Sequence, residues 1–292
     1  MDHALKRVVE STDLASALGL EAVGEPIQIT GVSTLDCPVP GTLCYSKSSV
    51  EKGIPGVAMI TSLSSSAKSS VQGSLLLSEN PRLAFARALE WLDAFAGFAC
   101  DKTPPRVDPT AVIGQYCVIG PGVSIGAHTR VGNGVTIAAN ATIGAHCVIK
   151  SGAVIGEDGF GFERAEDGLP VRLLHLGSVL IGDHVEIGSL TTICRGTLRS
   201  TIIEDHAKID DHVHIAHNVT VRRGAMVIAC AEVSGGVEIG ELAWFGPNAS
   251  IIQQKKVGRG ALVGIAANVL KDVPDNAVFV GNPAKQLFRS TE

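Results

Sequence analysis

The chain has 292 residues, of which 45% are hydrophobic, 18% charged and 4% aromatic, and a net charge of −5. That hydrophobic share excludes a disordered polypeptide, and the length suits one or two domains. The acidic balance offers no broad attraction for nucleic acid or an anionic membrane surface. No window approaches the roughly 18 consecutive apolar residues of a spanning helix, and "MDHALKRVVESTD" lacks the apolar core of a signal peptide. The seven cysteines are scattered without a C-x-x-C pair. They read as reduced thiols in a cytoplasmic protein, with neither disulfides nor a zinc site expected.

The first hundred residues have mixed α/β character. "STDLASALGL" begins with capping residues and continues with a helical apolar pattern. "QITGVSTLDCPVPGTLCYS" and "GVAMITS" read as short strands interrupted by Gly and Pro. "NPRLAFARALEWLDAFAG" is the clearest helix. Asn80 caps it, Pro81 suits its first turn, and Phe85, Ala88, Leu89, Leu92 and Phe95 form one stripe. "DKTPPRVDP" is a Pro-rich linker. The expected domains are residues 1–102, a repeat domain over 103–273 with an inserted loop at 157–179, and a short tail over 274–292.

From Ala111 the pattern turns to a period of six. Aliphatic residues fall at Ile113, Ile119, Ile125, Val131, Ile137, Ile143, Ile149 and Ile155, each preceded two residues earlier by a small or β-branched residue. The pattern pauses at 157–179 and resumes at Ile181, Ile187 and Ile193. It then skips four residues and runs from Ile203 to Val269. This is the hexapeptide repeat of a parallel β-helix. Strand alternation points the aliphatic residue and the one two before it inward. Three hexads make one coil of roughly 18 residues, giving seven to eight coils. The 33 glycines suit its tight corners. The insert "EDGFGFERAEDGLPVRLLHLGSV" brings Phe160 and Phe162 between glycines, and "AEDGLP" suits a hairpin turn.

The repeat phase sorts the histidines of "DDHVHIAHNVTV". Five of the chain's nine, His128, His146, His184, His206 and His212, stand three residues after an inward aliphatic, a common turn position. His214 sits one before an aliphatic, facing outward. His217 is the only one two after an aliphatic. Asp210, seven residues earlier, is a candidate to receive its imidazole N–H. Gly235, one coil further on, leaves room for a carbonyl and offers an N–H to an oxyanion. A base and an amide donor so placed would define an acyl-transfer site.

"GEDGFGF", "IGDHVEIGSLTTICRGTLRSTIIEDHAKIDDHVHIAHNV" and "LASALGLEAVGEPIQITGVSTLDCPVPGTLCYS" resemble the UDP-3-O-acylglucosamine N-acyltransferases of lipid A synthesis, over roughly residues 10–240. The resemblance implies a left-handed parallel β-helix behind a small α/β domain, assembled as a homotrimer. It implies N-acylation of a nucleotide-linked amino sugar from an acyl-CoA or acyl carrier protein thioester, with no tightly bound cofactor and no metal. It assigns His217 as base, Asp210 as its support and Gly235 as the oxyanion donor. Tyr45, Phe160, Phe162, Asp211, His214 and Asn218 would hold the acceptor. The pattern departs from the family at Cys194, Arg199, Ser200, Asp211 and His214. The family's second histidine gives way to Gln254 or Lys255, and its C-terminal helical extension to "GNPAK". That tail resembles coenzyme A-dependent hexapeptide acyltransferases and implies Gly264, Asn282 and Lys285 at the acyl donor. Two alternatives stay open. One is a non-catalytic scaffold. The other is a metal enzyme of the γ-carbonic-anhydrase type, to which the His212/His217 spacing points.

Overall fold

A computed structural model of the chain describes residues 3–50, 52–62 and 71–287. They form two compact units. One comprises Met1–Cys100 with Gly161–Leu176, the other Asp101–Phe160 with Gly177–Glu292.

In the first unit, β1 (His3–Glu10), β2 (Glu21–Gly24), β3 (Gln28–Val32), β4 (Thr42–Tyr45), β5 (Ala58–Ser62) and β6 (Ser74–Ser78) form a sheet in the order β1-β3-β4-β5-β6-β2. β3 to β6 run parallel, and the edge strands β1 and β2 run antiparallel to them. α1 (Ser11–Leu18) begins at Ser11, but Ser11 does not cap it. Its Oγ hydrogen-bonds Ser74 Oγ and accepts from Ile27 N. α2 (Pro81–Phe95) starts as the sequence predicts, with Asn80 Oδ1 accepting from Leu83 N at 3.1 Å. Phe85, Ala88, Leu89 and Leu92 are buried. Phe95, expected on the same stripe, is instead exposed, stacked on Trp91 and covered by the Arg7 guanidinium. The insert contributes an antiparallel hairpin, Phe162–Arg164 with Pro170–Arg172, to this unit. It is pinned to α2 by Arg82–Glu163 and by Arg87, which donates to both oxygens of Glu166.

The second unit is the left-handed parallel β-helix. Its first and third faces each carry eight strands. The second face carries ten, the last of them antiparallel. Inward aliphatics stack in register: Ile125, Ile143, Ile181, Ile203, Val221, Ile239 and Val257 line the first face. All are buried in one continuous core with their counterparts on the other faces. Truncating one such isoleucine to alanine costs about 2–5 kcal/mol. The tail forms a β-hairpin, Val278–Val280 with Lys285–Leu287.

The corners follow one rule. The residue three after each inward aliphatic has positive φ, from Tyr116 through His128, Asn140 and Asn218 to Asn276. Asn and His tolerate that left-handed region better than branched residues do. The expected turn histidines obey it, and four of them stack. His128, His146, His184 and His206 form a ladder along one edge with ring centroids 5.0, 4.9 and 4.8 Å apart. Apart from the rungs at the two ends of the helix, only those of Ile155 and Ile193 break the rule among the described residues. These are the rungs where the sequence interrupts its period. Both lie on the third face, at the corner where it turns back to the first.

Candidate acyl-transfer site

The third face builds this corner from Ile155, Ile193, Ile215 and Val233, paired in register. Two residues after each stand Glu157, Arg195, His217 and Gly235, a column running up the corner. His217 and Gly235 touch: a Cβ added at Gly235 would lie 2.8 Å from both Cε1 and Nε2 of His217. Gly236 N donates to the His217 carbonyl at 2.9 Å, fixing the backbone of one rung to the next. The Gly235 N–H is paired with no acceptor among the described residues, so it is open to a ligand oxygen.

His217 Nδ1 lies 3.0 Å from Asn218 Oδ1. That oxygen also accepts from Thr197 N at 2.9 Å and from Thr197 Oγ1 at 3.0 Å. A main-chain N–H can only donate, so this amide atom is the carbonyl oxygen and Nδ1 carries the ring proton. In the neutral ring the lone pair then falls on Nε2, the arrangement a general base requires. Asn218 holds its place through positive φ and through its own N–H, which donates to Thr201 Oγ1 at 2.9 Å. Asn218 thus orients the imidazole, a role the sequence reading missed. The signal available was its turn position directly after the histidine.

Asp210 stands elsewhere. It follows Ile209 on the second face, at the corner before the third, where Oδ2 accepts from Ala229 N and its carbonyl from Thr191 Oγ1. One full face of the prism separates it from the His217 corner. Asp211 shares that second corner, accepting from Ser189 N and pairing with Lys150 at 3.6 Å. His212 is exposed on the same corner, so it and His217 occupy different corners of the chain. His214 faces outward on the third face, its Nδ1 2.7 Å from Thr192 Oγ1.

Phe160 is 90% exposed where the chain leaves the helix. Phe162 lies in the first unit under the Arg172 guanidinium, and Tyr45 stacks there on Phe85 with centroids 4.6 Å apart. Gly264 packs against Val280 at the top of the second face. Asn282 and Lys285 are exposed in the terminal hairpin, away from the His217 rungs. Of the residues taken for the second histidine's place, Gln254 and Lys255, Gln254 stands at the turn position above Gly236, while Gln253 continues the His217 column. Cys194 adjoins the site, but burial, reinforced by the Asp158 and Glu157 carboxylates, pushes its thiol up and keeps it a poor nucleophile. No three His, Cys, Asp or Glu among the described residues group as metal ligands, and no helix there is long and apolar enough to cross a membrane.

The family model described as bacterial transferase hexapeptide (six repeats) matches residues 105–145 and 122–157. A UDP-3-O-acylglucosamine N-acyltransferase of Methylobacterium nodulans is 39% identical over 130 residues, 44% of this chain and 37% of that protein. Its namesake in a Caulobacter species is 38% identical over 134 residues, 46% and 39% of the two chains. The chain thus matches under half the length of these curated relatives. Among solved structures, the UDP-N-acetylglucosamine O-acyltransferase of Moraxella catarrhalis is 31% identical with a TM-score of 0.57, over 63% of this chain and 69% of that one. The UDP-N-acetylglucosamine acyltransferase of Francisella novicida is 29% identical with a TM-score of 0.56, over 62% and 64%.

Proposed function

Because the chain belongs to the hexapeptide-repeat family of acyltransferases, we propose that it moves an acyl group from a thioester to the amine of a nucleotide-linked amino sugar. The carrying observation is the convergence at one corner of a tautomer-fixed imidazole, an adjacent open glycine amide and both interruptions of the repeat. His217 Nε2 takes a proton as the amine nitrogen attacks the thioester carbonyl, and the new N–C bond forms. The carbonyl oxygen becomes an oxyanion facing the Gly235 N–H. The C–S bond then breaks and the proton on Nε2 passes to the leaving thiolate. Asn218 holds the ring in the productive tautomer without adding a charge.

Phe160, Phe162, Tyr45, His214 and Asp211 are the proposed acceptor contacts, and Asp210 is kept as a residue of the assembled site. The donor is an acyl-CoA or acyl carrier protein thioester, with Gly264, Asn282 and Lys285 proposed for its distal part. The proposed assembly is a cytoplasmic homotrimer working in lipid A or related surface-glycan synthesis. The test pairs each thioester class with a panel of nucleotide amino sugars. Turnover by the wild-type protein and a loss on the order of 10²-fold in His217→Ala are expected. Transfer at the wild-type rate in that variant refutes the base. A protein that is stabilised by no nucleotide sugar or thioester is the scaffold instead.

A further inference from the structure

The second interruption of the repeat makes contacts that the reaction above does not use. Ile181 pairs with Ile203, twenty-two residues on, where the neighbouring pair Ile203 and Val221 is eighteen apart. The four extra residues form a bulge that begins at Arg195, directly below His217 in the corner column. The Arg195 side chain is only 18% exposed. Its Nε donates to the Gly156 carbonyl at 2.6 Å and stands 3.6 Å from Asp158 Oδ1. Its main-chain N donates to the Glu157 carbonyl at 2.9 Å. Gly156, with φ at +90°, is where the chain leaves the helix toward Phe160.

The returning end is held by the same bulge. Gly177 N donates to the carbonyls of Gly196 and Thr197, both at 3.0 Å. The fit leaves no slack, for a Cβ on Gly177 would lie 2.1 Å from the Arg199 carbonyl oxygen and one on Gly196 only 1.7 Å from it. From its other side the bulge presents Thr197, whose N–H and hydroxyl both donate to the oxygen that fixes the His217 tautomer. One short segment therefore grips both points where the insert joins the helix and also the residue that orients the base.

We propose that Arg195 is a positioning residue that, through the 196–199 bulge, ties the 156–160 loop to the Asn218–His217 pair. An acceptor that orders Phe160 and its loop thereby seats the bulge and with it the imidazole. Lysine cannot replace the arginine fully, because an ammonium lacks the Nε–H, set back along the side chain, that donates to the Gly156 carbonyl. The inference rests on the transferase reading for its consequence, but the linkage itself is measurable without turnover.

The experiment compares the full-length wild type with Arg195→Gln, Arg195→Lys and Thr197→Val. Mass spectrometry reads amide exchange over 156–160 and the slow exchange of the His217 Cε1 hydrogen. Arg195→Gln is expected to raise both, Arg195→Lys to raise both less, and Thr197→Val to change the His217 exchange while leaving 156–160 near wild type. In kinetics, Arg195→Gln should lower kcat/KM for the acceptor by about 10- to 100-fold, the size of an ångström-scale misplacement. The loss should fall mainly in kcat, because the misplaced group is the base, with donor KM unchanged. Loosening at 156–160 with unaltered His217 exchange overturns the coupling, as does no change at either place. If Arg195→Gln does not fold, Arg195→Lys decides by the same readouts. A wild type without acyl transfer in which the two exchanges still rise together leaves the coupling standing and removes only the transferase reading.

Discussion

Gly235→Ala is the sharpest probe of the corner column. Gly235 does not adopt positive φ, so its backbone accepts a side chain, and the nearest obstacle is the imidazole. The new methyl would sit 2.8 Å from Cε1 and Nε2 and 3.3 Å from Nδ1 of His217. Ordinary contact requires roughly 3.5–4.0 Å between such atoms, so the ring must retreat by about 0.7–1.2 Å. A displacement of that size at a reacting group costs on the order of 10²-fold in rate. Overpacking costs about 1–3 kcal/mol of stability. Gly236→Ala is the control. Its φ of +69° makes alanine costly there, but its methyl would meet only Gln254 Cγ at 3.5 Å. Single-turnover acyl transfer and thermal unfolding on both variants separate the cases. Gly235→Ala should lose rate well beyond its loss of stability, and Gly236→Ala should lose stability with near-normal rate. A Gly235→Ala protein with wild-type rate and Tm would refute the packing of the base on this glycine.

Asn218→Asp keeps the oxygen that receives Thr197 and His217 but adds a negative charge beside the imidazole. The acid limb of the kcat/KM profile should move to higher pH, and an unmoved limb would break the pairing of the two residues. Arg222 bridges Glu204 at 2.7 Å and Glu238 at 2.8 Å. Burial pushes the Glu238 carboxyl up, but the Arg222 guanidinium and Lys256 outweigh it and hold the group below its ordinary value. A lowered folded value means this stability is present above the ordinary carboxylate range and fades as pH falls through the folded value. A double-mutant cycle at pH 7 should therefore give about 0.2–1 kcal/mol, shrinking in acid. Burial pushes the Cys44 thiol up to about 12, so native protein at pH 8 should alkylate at the exposed Cys37, Cys100 and Cys230 and leave Cys44 unmodified until it unfolds. Early labelling of Cys44 in peptide mapping would contradict its burial.

The β-helix was legible because each rung depends on one inward aliphatic and one turn residue, both visible in a linear sequence. The sheet of the first unit was less so. β6, "SLLLS", is buried over its first four residues and offers no alternation to separate strand from helix. β1 is an edge strand with mostly exposed side chains. Within the site, the outcome turned on which number one counts by. Counting eighteen carries a residue to the rung above, and Gly235 found in that way lies against His217. Counting by about six carries a residue to the next face, and Asp210 found in that way lies at another corner. The twenty-two-residue step hid Arg195, whose relation to His217 emerges only when the bulge is subtracted.

The two irregular rungs also bear on how such a chain can change. Elsewhere on the prism, an added residue would rotate every later aliphatic out of the core, because hydrogen bonding passes the register from coil to coil. At this corner the chain already departs after Ile155 and returns in time for Ile193 to pair with it. Length is therefore a free variable here and a fixed one around it. A hairpin of different size or sequence could be spliced between Gly156 and Gly177 without shifting the register of the later coils. Diversification by loop exchange rather than by remodelling the repeat is the route this architecture leaves open.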